Sequence, residues 1–268
     1  MKLAWASDIH LDSCDNATLR EFAEECADRS DALVITGDIT NGRQTSLFTT
    51  FAAKYGKPLY FVLGNHDYWH RSFASVEAEY REIVLCAHNV HFLDWGGVFA
   101  LAPGVELCGV SGWYDARFGD WTTSSFALHD WWRIEDLDKL RVPFEVGEEL
   151  IKKFRARAGA FARTATKKLR NTTAKHVIFA THVPPFEGAC WHMGRRSDPD
   201  ALPYYTNKAL GLALNRWAAA NPDRALTTLC GHSHSRGDYR ALPNHIVRTA
   251  AAEYGQPSIE HVFELEGA

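Results

Sequence analysis

Five short segments of the 268-residue chain each follow an apolar run with residues able to bind a metal ion: Asp8-Ile9-His10, Gly37-Asp38, Gly64-Asn65-His66-Asp67, Thr181-His182 and Gly231-His232-Ser233-His234. Carboxylate, amide oxygen and imidazole together suit divalent ions such as Mn, Fe, Zn or Co. Asp8, His10, Asp38, Asn65, His182, His232 and His234 make seven candidate ligands. That is more than one ion of about four to six ligands takes up with a position left for water. Two ions sharing one carboxylate accommodate the set, and a pair about 3.5–4 Å apart clamps both the attacking and the leaving oxygen of a phosphoryl displacement. The bland alternative is turn-forming Asp, Asn and Gly after strands. It accounts for Asp38 alone, but not for the histidines at 10, 66, 182, 232 and 234 in this order.

The elements that must deliver these residues are written as KLAWASD, ALVITGD, PLYFVLGNHD, VELCGVSG, HVIFATHVPP and ALTTLCGHSH, apolar runs that read as buried strands reaching one sheet edge. Helical patterns lie between them. Asp15 to Arg29 carries Leu19, Phe22, Ala23 and Cys26 on one stripe, and Ser72 to Asn89 carries Phe73, Val76, Tyr80, Ile83 and Val84 at helical spacing. The alternation predicts an α/β fold, and open α/β sheets bind ligands beyond the carboxyl ends of their strands. YRALPNHIVRTAAAE and PSIEHVFELE have no helix between them and predict a second sheet or an antiparallel edge. Gly112 to Asp130, with Trp113, Tyr114, Trp121 and Phe126, predicts a long loop or cap whose aromatics serve packing rather than base stacking. Val146 to Arg170 predicts a long exposed helix with its charge run solvated.

Length and composition frame one domain over residues 1–268, with the Trp-rich cap or insert around 112–170. A hydrophobic share of 46% and a formal net charge of -4 are those of a soluble globular protein with no prompt for a polyanionic partner. The opening apolar run is too short for a signal-peptide core and no stretch reaches the length of a membrane span, so a cytoplasmic location without a membrane partner is expected. The cysteines at 14, 26, 86, 108, 190 and 230 form no C-x-x-C pair, which points to reduced, mostly buried thiols. Ser111 in GVSGW lacks the glycine spacing of a nucleophile elbow, which removes a serine-hydrolase reading. Nothing in the sequence encodes an oligomeric state.

The ordered series D-x-H, G-D, G-N-H-D, H and G-H-x-H, spanning Asp8 to His234, resembles the calcineurin-like metallophosphoesterases. The resemblance implies an α/β four-layer αββα sandwich, two mixed β-sheets packed face to face with helices outside, and a dinuclear metal site at the C-terminal ends of the strands. It assigns Asp8, His10 and His234 to a first metal, Asp38 to both as a bridge, and Asn65, His182 and His232 to a second. His66 matches the non-ligand histidine beside the leaving-group oxygen, and Asp67 the acid expected to orient its imidazole. The implied chemistry is in-line attack by a metal-bridging hydroxide, with proton donation by histidine worth about 10²–10⁴-fold.

Departures from the family pattern narrow the expectation. Gly42 stands where Ser/Thr protein phosphatases carry an Arg, and Asn41 where purple acid phosphatases place a metal-binding Tyr. G-N-H-D and G-H-S-H are closer to the bacterial phosphodiesterase-like and nuclease-like branches. The expectation is therefore a phosphodiesterase acting on a small phosphoester with Mn or a mixed Fe/Mn pair, or Zn or other divalent ions. Phosphomonoesterase, nuclease acting on nucleic acid, and non-catalytic metal-bearing interaction module stand as the alternatives. Asn65, His66 and His192, the last in the loop HVPPFEGACWHMGRR, are the candidate substrate contacts, while Arg195 and Arg196 read as solvated rather than as a grip on a distal phosphate. His70, His88, His91, His129, His176, His245 and His261 read as ordinary structural or surface histidines.

Overall fold

The computed structural model describes residues 1–140 and 146–265. The stretch 141–145 inside the expected insert and the last three residues of the expected 1–268 domain lie outside the described residues. In chain order the elements are β1 (Lys2–Ala6), α1 (Asn16–Arg29), β2 (Ala32–Thr36), α2 (Thr45–Tyr55), β3 (Leu59–Val62), α3 (Phe73–Cys86), β4 (Val90–Phe92), β5 (Phe99–Ala102) and β6 (Val105–Gly109). Two single turns, α4 (Asp130–Arg133) and α5 (Glu135–Asp138), precede the long α6 (Glu148–Arg170) and β7 (His176–Ala180). A short ribbon, β8 (Trp191–His192) and β9 (Arg195–Arg196), leads to α7 (Leu202–Tyr205), α8 (Lys208–Ala220), β10 (Ala225–Cys230), β11 (Gly237–Leu242), β12 (His245–Thr249) and β13 (His261–Glu264).

Two mixed sheets result, in the orders β13-β1-β2-β3-β4 and β11-β12-β10-β7-β6-β5. β1 to β4 are parallel, as are β6, β7, β10 and β12, while β13, β11 and β5 add antiparallel edges. The strand-like C-terminal segments thus divide between the sheets, β11 and β12 closing one and β13 the other.

Period-two alternation explains the layering. Leu3 and Trp5 of β1, Val34 of β2 and Val62 of β3 pack with Leu107, Ile178 and Leu229 of the second sheet, so one face of each sheet meets the other. The opposite residues of the first sheet, Ala4, Ala6, Leu33, Ile35 and Phe61, bury against Leu19 and Phe22 of α1, Phe48 and Phe51 of α2, and Val76 and Tyr80 of α3. Cys108, Val177, Phe179 and Leu226 do the same against Ala165 and Leu169 of α6 and Leu210 and Leu214 of α8. The outcome is the expected α/β sandwich of two mixed sheets with helices outside.

Helix starts follow capping chemistry where it is present. Asp15 accepts from the N–H groups of Ala17 and Thr18 at 3.0 and 2.7 Å, and Ser72 accepts from that of Ser75 at 3.2 Å. The helix α6 corrects the expectation of a long exposed helix whose charge run is a solvated face. It buries Leu150, Ile151, Phe154, Ala158 and Leu169 on one stripe, and two of its cations turn inward. The Arg157 guanidinium lies 3.8 Å from the Phe73 ring centre and pairs with Glu77 at 2.8 Å. Lys168 Nζ donates to the carbonyls of Asp94 and Gly109 at 3.1 and 3.0 Å. A buried cation needs such partners, and these lie on elements far away in sequence. Trp113 and Tyr114 of the Trp-rich segment are likewise buried in the core. All six cysteines are free, and no helix among the described residues is long and apolar enough to cross a membrane.

One buried histidine far from the strand-end loops sets a pH limit on stability. His245 in β12 is fully buried; its Nδ1 donates to Asn215 Oδ1 at 2.8 Å, and its Nε2 accepts from Thr228 Oγ1 at 2.9 Å. Burial pushes its pKa down to about 4. The unfolded chain binds the proton first, so its contribution is complete above pH 6.5 and is lost as pH falls toward 4, about 3 kcal/mol in all. Urea midpoints between pH 7 and pH 4 should therefore fall less steeply for His245→Gln than for the wild type; parallel slopes would contradict this.

Candidate metal centre

The candidate ligands follow β1, β2 and β3 of one sheet and β7 and β10 of the other, and the loops carrying them are laced together by backbone hydrogen bonds. The N–H groups of Asp8, His10 and Leu11 donate to the carbonyls of Gly37, Asp38 and Ile39 at 2.9, 3.0 and 2.9 Å, and that of Gly231 donates to His182 at 2.9 Å. Asp8, His10, Asp38, His232 and His234 all adopt left-handed backbone, with φ of 51, 38, 49, 68 and 54°. Each such residue costs on the order of 1 kcal/mol or more, and such outliers cluster at functional sites. Close approach also dictates two glycines. A Cβ on Gly64 would lie 2.1 Å from Asp38 Oδ1, and one on Gly231 would lie 1.9 Å from Asp8 Oδ2.

Asp8, His10, Asp38 and His234 each bring one potential ligand atom within 4.8 Å of the others. Within this group His234 Nε2 stands 3.2 Å from Asp8 Oδ1 and 3.4 Å from His10 Nε2, which is itself 3.9 Å from Asp38 Oδ2. Asp38 reaches a second group through its other oxygen, Oδ1, 3.4 Å from His182 Nε2. His182 Nε2 is also 3.0 Å from Asn65 Oδ1.

Outer partners decide which atoms face inward. A carbonyl can only accept, so His182 donates through Nδ1 to Thr36 at 2.8 Å and His232 through Nε2 to Tyr204 at 3.1 Å. The lone pairs are then left on Nε2 of His182 and Nδ1 of His232. Asn65 donates through Nδ2 to Asp130 Oδ1 at 2.9 Å, which turns its amide oxygen toward His182. His182 Nε2 and Asn65 Oδ1 are therefore two acceptors 3.0 Å apart, an arrangement that a cation between them resolves.

The electrostatics agree. Burial pushes His10 and His232 down to about 3, lowers His182, and lowers His66 well below the usual range together with the neighbouring imidazoles. Burial, with the charges of Asp8 and Asp67, holds Asp38 well above the carboxylate range. Burial also opposes the charge of Asp8, but His182, His234 and His10 overrule it and hold Asp8 low. Among the described residues no lysine or arginine pairs with Asp8 or Asp38. Burial opposes the charge of His234, but its hydrogen bond to Asp8 overrules it and raises that imidazole. A buried set of imidazoles, an amide oxygen and carboxylates lacking a lysine or arginine partner fits metal ions by its donor chemistry.

His66 lies beside this set, its Nε2 3.9 Å from Asp38 Oδ2 and its side chain 13% exposed. Its N–H donates to Asp38 Oδ1 at 2.9 Å, and its ring stacks on Trp69 with 3.5 Å between centroids. Asp67, expected to orient that ring, has backbone amides as its hydrogen-bond partners. Its oxygens accept from the N–H groups of Ile39, Thr40 and Gly64 at 3.1, 2.9 and 2.8 Å, so it ties the Asp38 loop to the Asn65 loop. Burial raises its pKa to about 7 against those amides. Trp69 stacks on the His66 ring, and the His10 ring lies 4.8 Å from it.

Sequence reasoning missed Trp69, Asp130 and Tyr254. Asp130 is fully buried and accepts from Asn65, from Trp69 Nε1 at 2.7 Å and from the Tyr114 hydroxyl at 3.0 Å. The Tyr254 ring lies 4.4 Å from that of His10 and 5.3 Å from that of His234. Trp69 lies only three residues beyond His66 in the sequence, whereas Asp130 and Tyr254 arrive only through the fold.

A cavity of about 440 Å³ opens over the set, with Asp38, Asn65, His66, His232 and His234 in its lining. His192, exposed on the β8–β9 ribbon, reaches the cavity, as does His129 from among the histidines read as ordinary. Arg195 and Arg196 are outside its lining, and the Arg196 guanidinium lies 3.7 Å from the centre of the Trp191 ring.

A family model described as calcineurin-like phosphoesterase matches residues 1–236. Among solved structures, a dimetal phosphatase from Danio rerio is similar, with a TM-score of 0.54 and 15% identity over 94% of this chain and 87% of that one. The TT1561 protein of Thermus thermophilus has a TM-score of 0.49 and 14% identity over 93% of this chain and 88% of that one. No curated protein matches the sequence. At such identities the first of these similarities speaks for the fold alone.

Proposed function

The chain belongs to the calcineurin-like phosphoesterase family, and from that premise we propose that it hydrolyses a phosphodiester at a centre of two metal ions. The observation that carries this reading is Asp38. Its Oδ2 stands 3.9 Å from His10 Nε2 and its Oδ1 3.4 Å from His182 Nε2, so one carboxylate addresses both groups of donors.

In this reading Asp8, His10, His234 and Asp38 would hold one ion, and Asp38, Asn65, His182 and His232 the other. When bound, such a pair lowers the pKa of a water to yield the nucleophile and neutralises charge on the phosphoryl oxygens. Asn65, oriented by Asp130, contributes a neutral oxygen, so positive charge is left over for the phosphate. His66, with its ring against Trp69, lies in the cavity lining and is the imidazole we assign to the departing oxygen. Asp67 keeps the two loops in register. His192, in the cavity lining, would contact the substrate from the ribbon.

Two features favour a diester over a monoester. Gly42 and Asn41 depart from the phosphatase patterns, and no lysine or arginine among the described residues lines the cavity to balance a dianionic phosphate. The test is protein stripped with EDTA and reloaded with Mn²⁺. Hydrolysis of bis(p-nitrophenyl) phosphate should vanish on stripping, return on reloading, and exceed that of p-nitrophenyl phosphate in kcat/KM. Undiminished activity after stripping would overturn the metal reading, and a preference for the monoester would overturn the diester reading.

A further inference from the structure

We infer that the cavity selects phosphoesters whose second ester group is flat, aromatic and uncharged. This rests on the phosphodiesterase reading above and names the substrate class within it. From the metal-ligand floor a run of rings leads outward. The Tyr205 ring lies 4.7 Å from that of His232, and Phe126 meets Tyr205 edge-on with 6.1 Å between centroids. Trp69 and Tyr254 line the cavity beside His66 and His10, and Trp191 lines it from the ribbon.

Trp191 is a fixed wall. Arg196 lies over its ring, and the backbone at Gly237 approaches so closely that a Cβ there would stand 2.1 Å from Trp191 Cε2. The guanidinium that could have gripped a second anion is thus placed over an indole. Among the described residues, the carboxylates in the cavity lining are Asp38, Asp130 and Asp198, and the exposed Asp198 would repel an anionic ester group. Rings recognise a flat apolar group through stacking and edge contacts, which an aliphatic group of similar size satisfies less well. A volume of about 440 Å³ holds a small organic group in addition to the phosphate.

Benzyl, cyclohexylmethyl and methyl p-nitrophenyl phosphate share one leaving group and one charge, and their retained ester groups differ little in electronic effect. With the Mn²⁺-loaded full chain, the benzyl ester should exceed the methyl ester about tenfold or more in kcat/KM, with the cyclohexylmethyl ester between them. Trp191→Leu and Phe126→Ala should each bring the benzyl-to-methyl ratio below about threefold. The second variant alters an exposed loop position and so keeps the test open if the first fails to fold. A benzyl ester within twofold of the methyl ester, a cyclohexylmethyl ester equal to the benzyl, or a ratio unchanged in both variants would overturn the inference. If none of the three esters is turned over, the hydrolase reading fails on its own. The inference then stands or falls on whether benzylphosphonate binds the Mn²⁺-loaded chain about tenfold tighter than methylphosphonate in a calorimetric titration.

Discussion

Asp38→Asn should lower kcat for bis(p-nitrophenyl) phosphate by more than about 100-fold, a loss that even the outer partners of a metal site can approach. In the proposed assignment Asp38 alone belongs to both ions, so elemental analysis should show both diminished. The fold should survive, because Asn retains an oxygen for the N–H of His66, 2.9 Å from Asp38 Oδ1. The metal-free variant should even be more stable than the metal-free wild type at pH 7. Burial and the charges of Asp8 and Asp67 hold Asp38 above its ordinary range, and a group so raised loses stability as pH rises past its unfolded value. Added Mn²⁺ should then raise the melting temperature of the wild type well above that of the variant. A variant with two ions and full turnover would remove Asp38 from the centre of the mechanism.

His232→Ala and His234→Ala should each leave about one ion per chain but empty different positions, with kcat reduced more than about 100-fold in both. The two imidazoles share one turn yet face different surroundings. His232 is buried, and its Nε2 is committed to the Tyr204 carbonyl at 3.1 Å. His234 has a side chain 25% exposed, with Nε2 3.2 Å from Asp8 Oδ1. Anomalous scattering from crystals of the two Mn²⁺-soaked variants locates the remaining ion in each. Loss of the same ion from both would contradict the assignment.

Much of this was legible in the sequence, for reasons that particular residues make plain. Strands such as ALVIT and HVIFA are buried on both faces, so they appear as unbroken apolar runs, and the Gly or polar residues after them mark the rim. The stripe Leu19, Phe22, Ala23 and Cys26 has one period and buries as that period requires. The helix α2 is less legible although Phe48, Phe51, Ala52 and Tyr55 are buried, because its N-cap residue is Gln44 rather than one of the residue types that mark a helix start. Arg157 and Lys168 were illegible as buried cations, since their partners lie on elements distant in sequence. Asp67 illustrates the same limit at the site. Its motif position was plain, but its partners are backbone amides of Ile39 and Thr40, and no side-chain pattern advertises an amide.

The left-handed backbone at Asp8, His10, Asp38, His232 and His234 bears on how the centre is supplied with metal. Backbone hydrogen bonds between the loops, together with Asp67, tie these segments to one another, so the chain itself contributes to where the donor atoms stand. In the proposed reading an ion would have less chain to organise than in small domains that fold only around their metal. Removing the ions should then cost the protein its activity before it costs the protein its fold, and far-ultraviolet circular dichroism of the EDTA-stripped chain checks this.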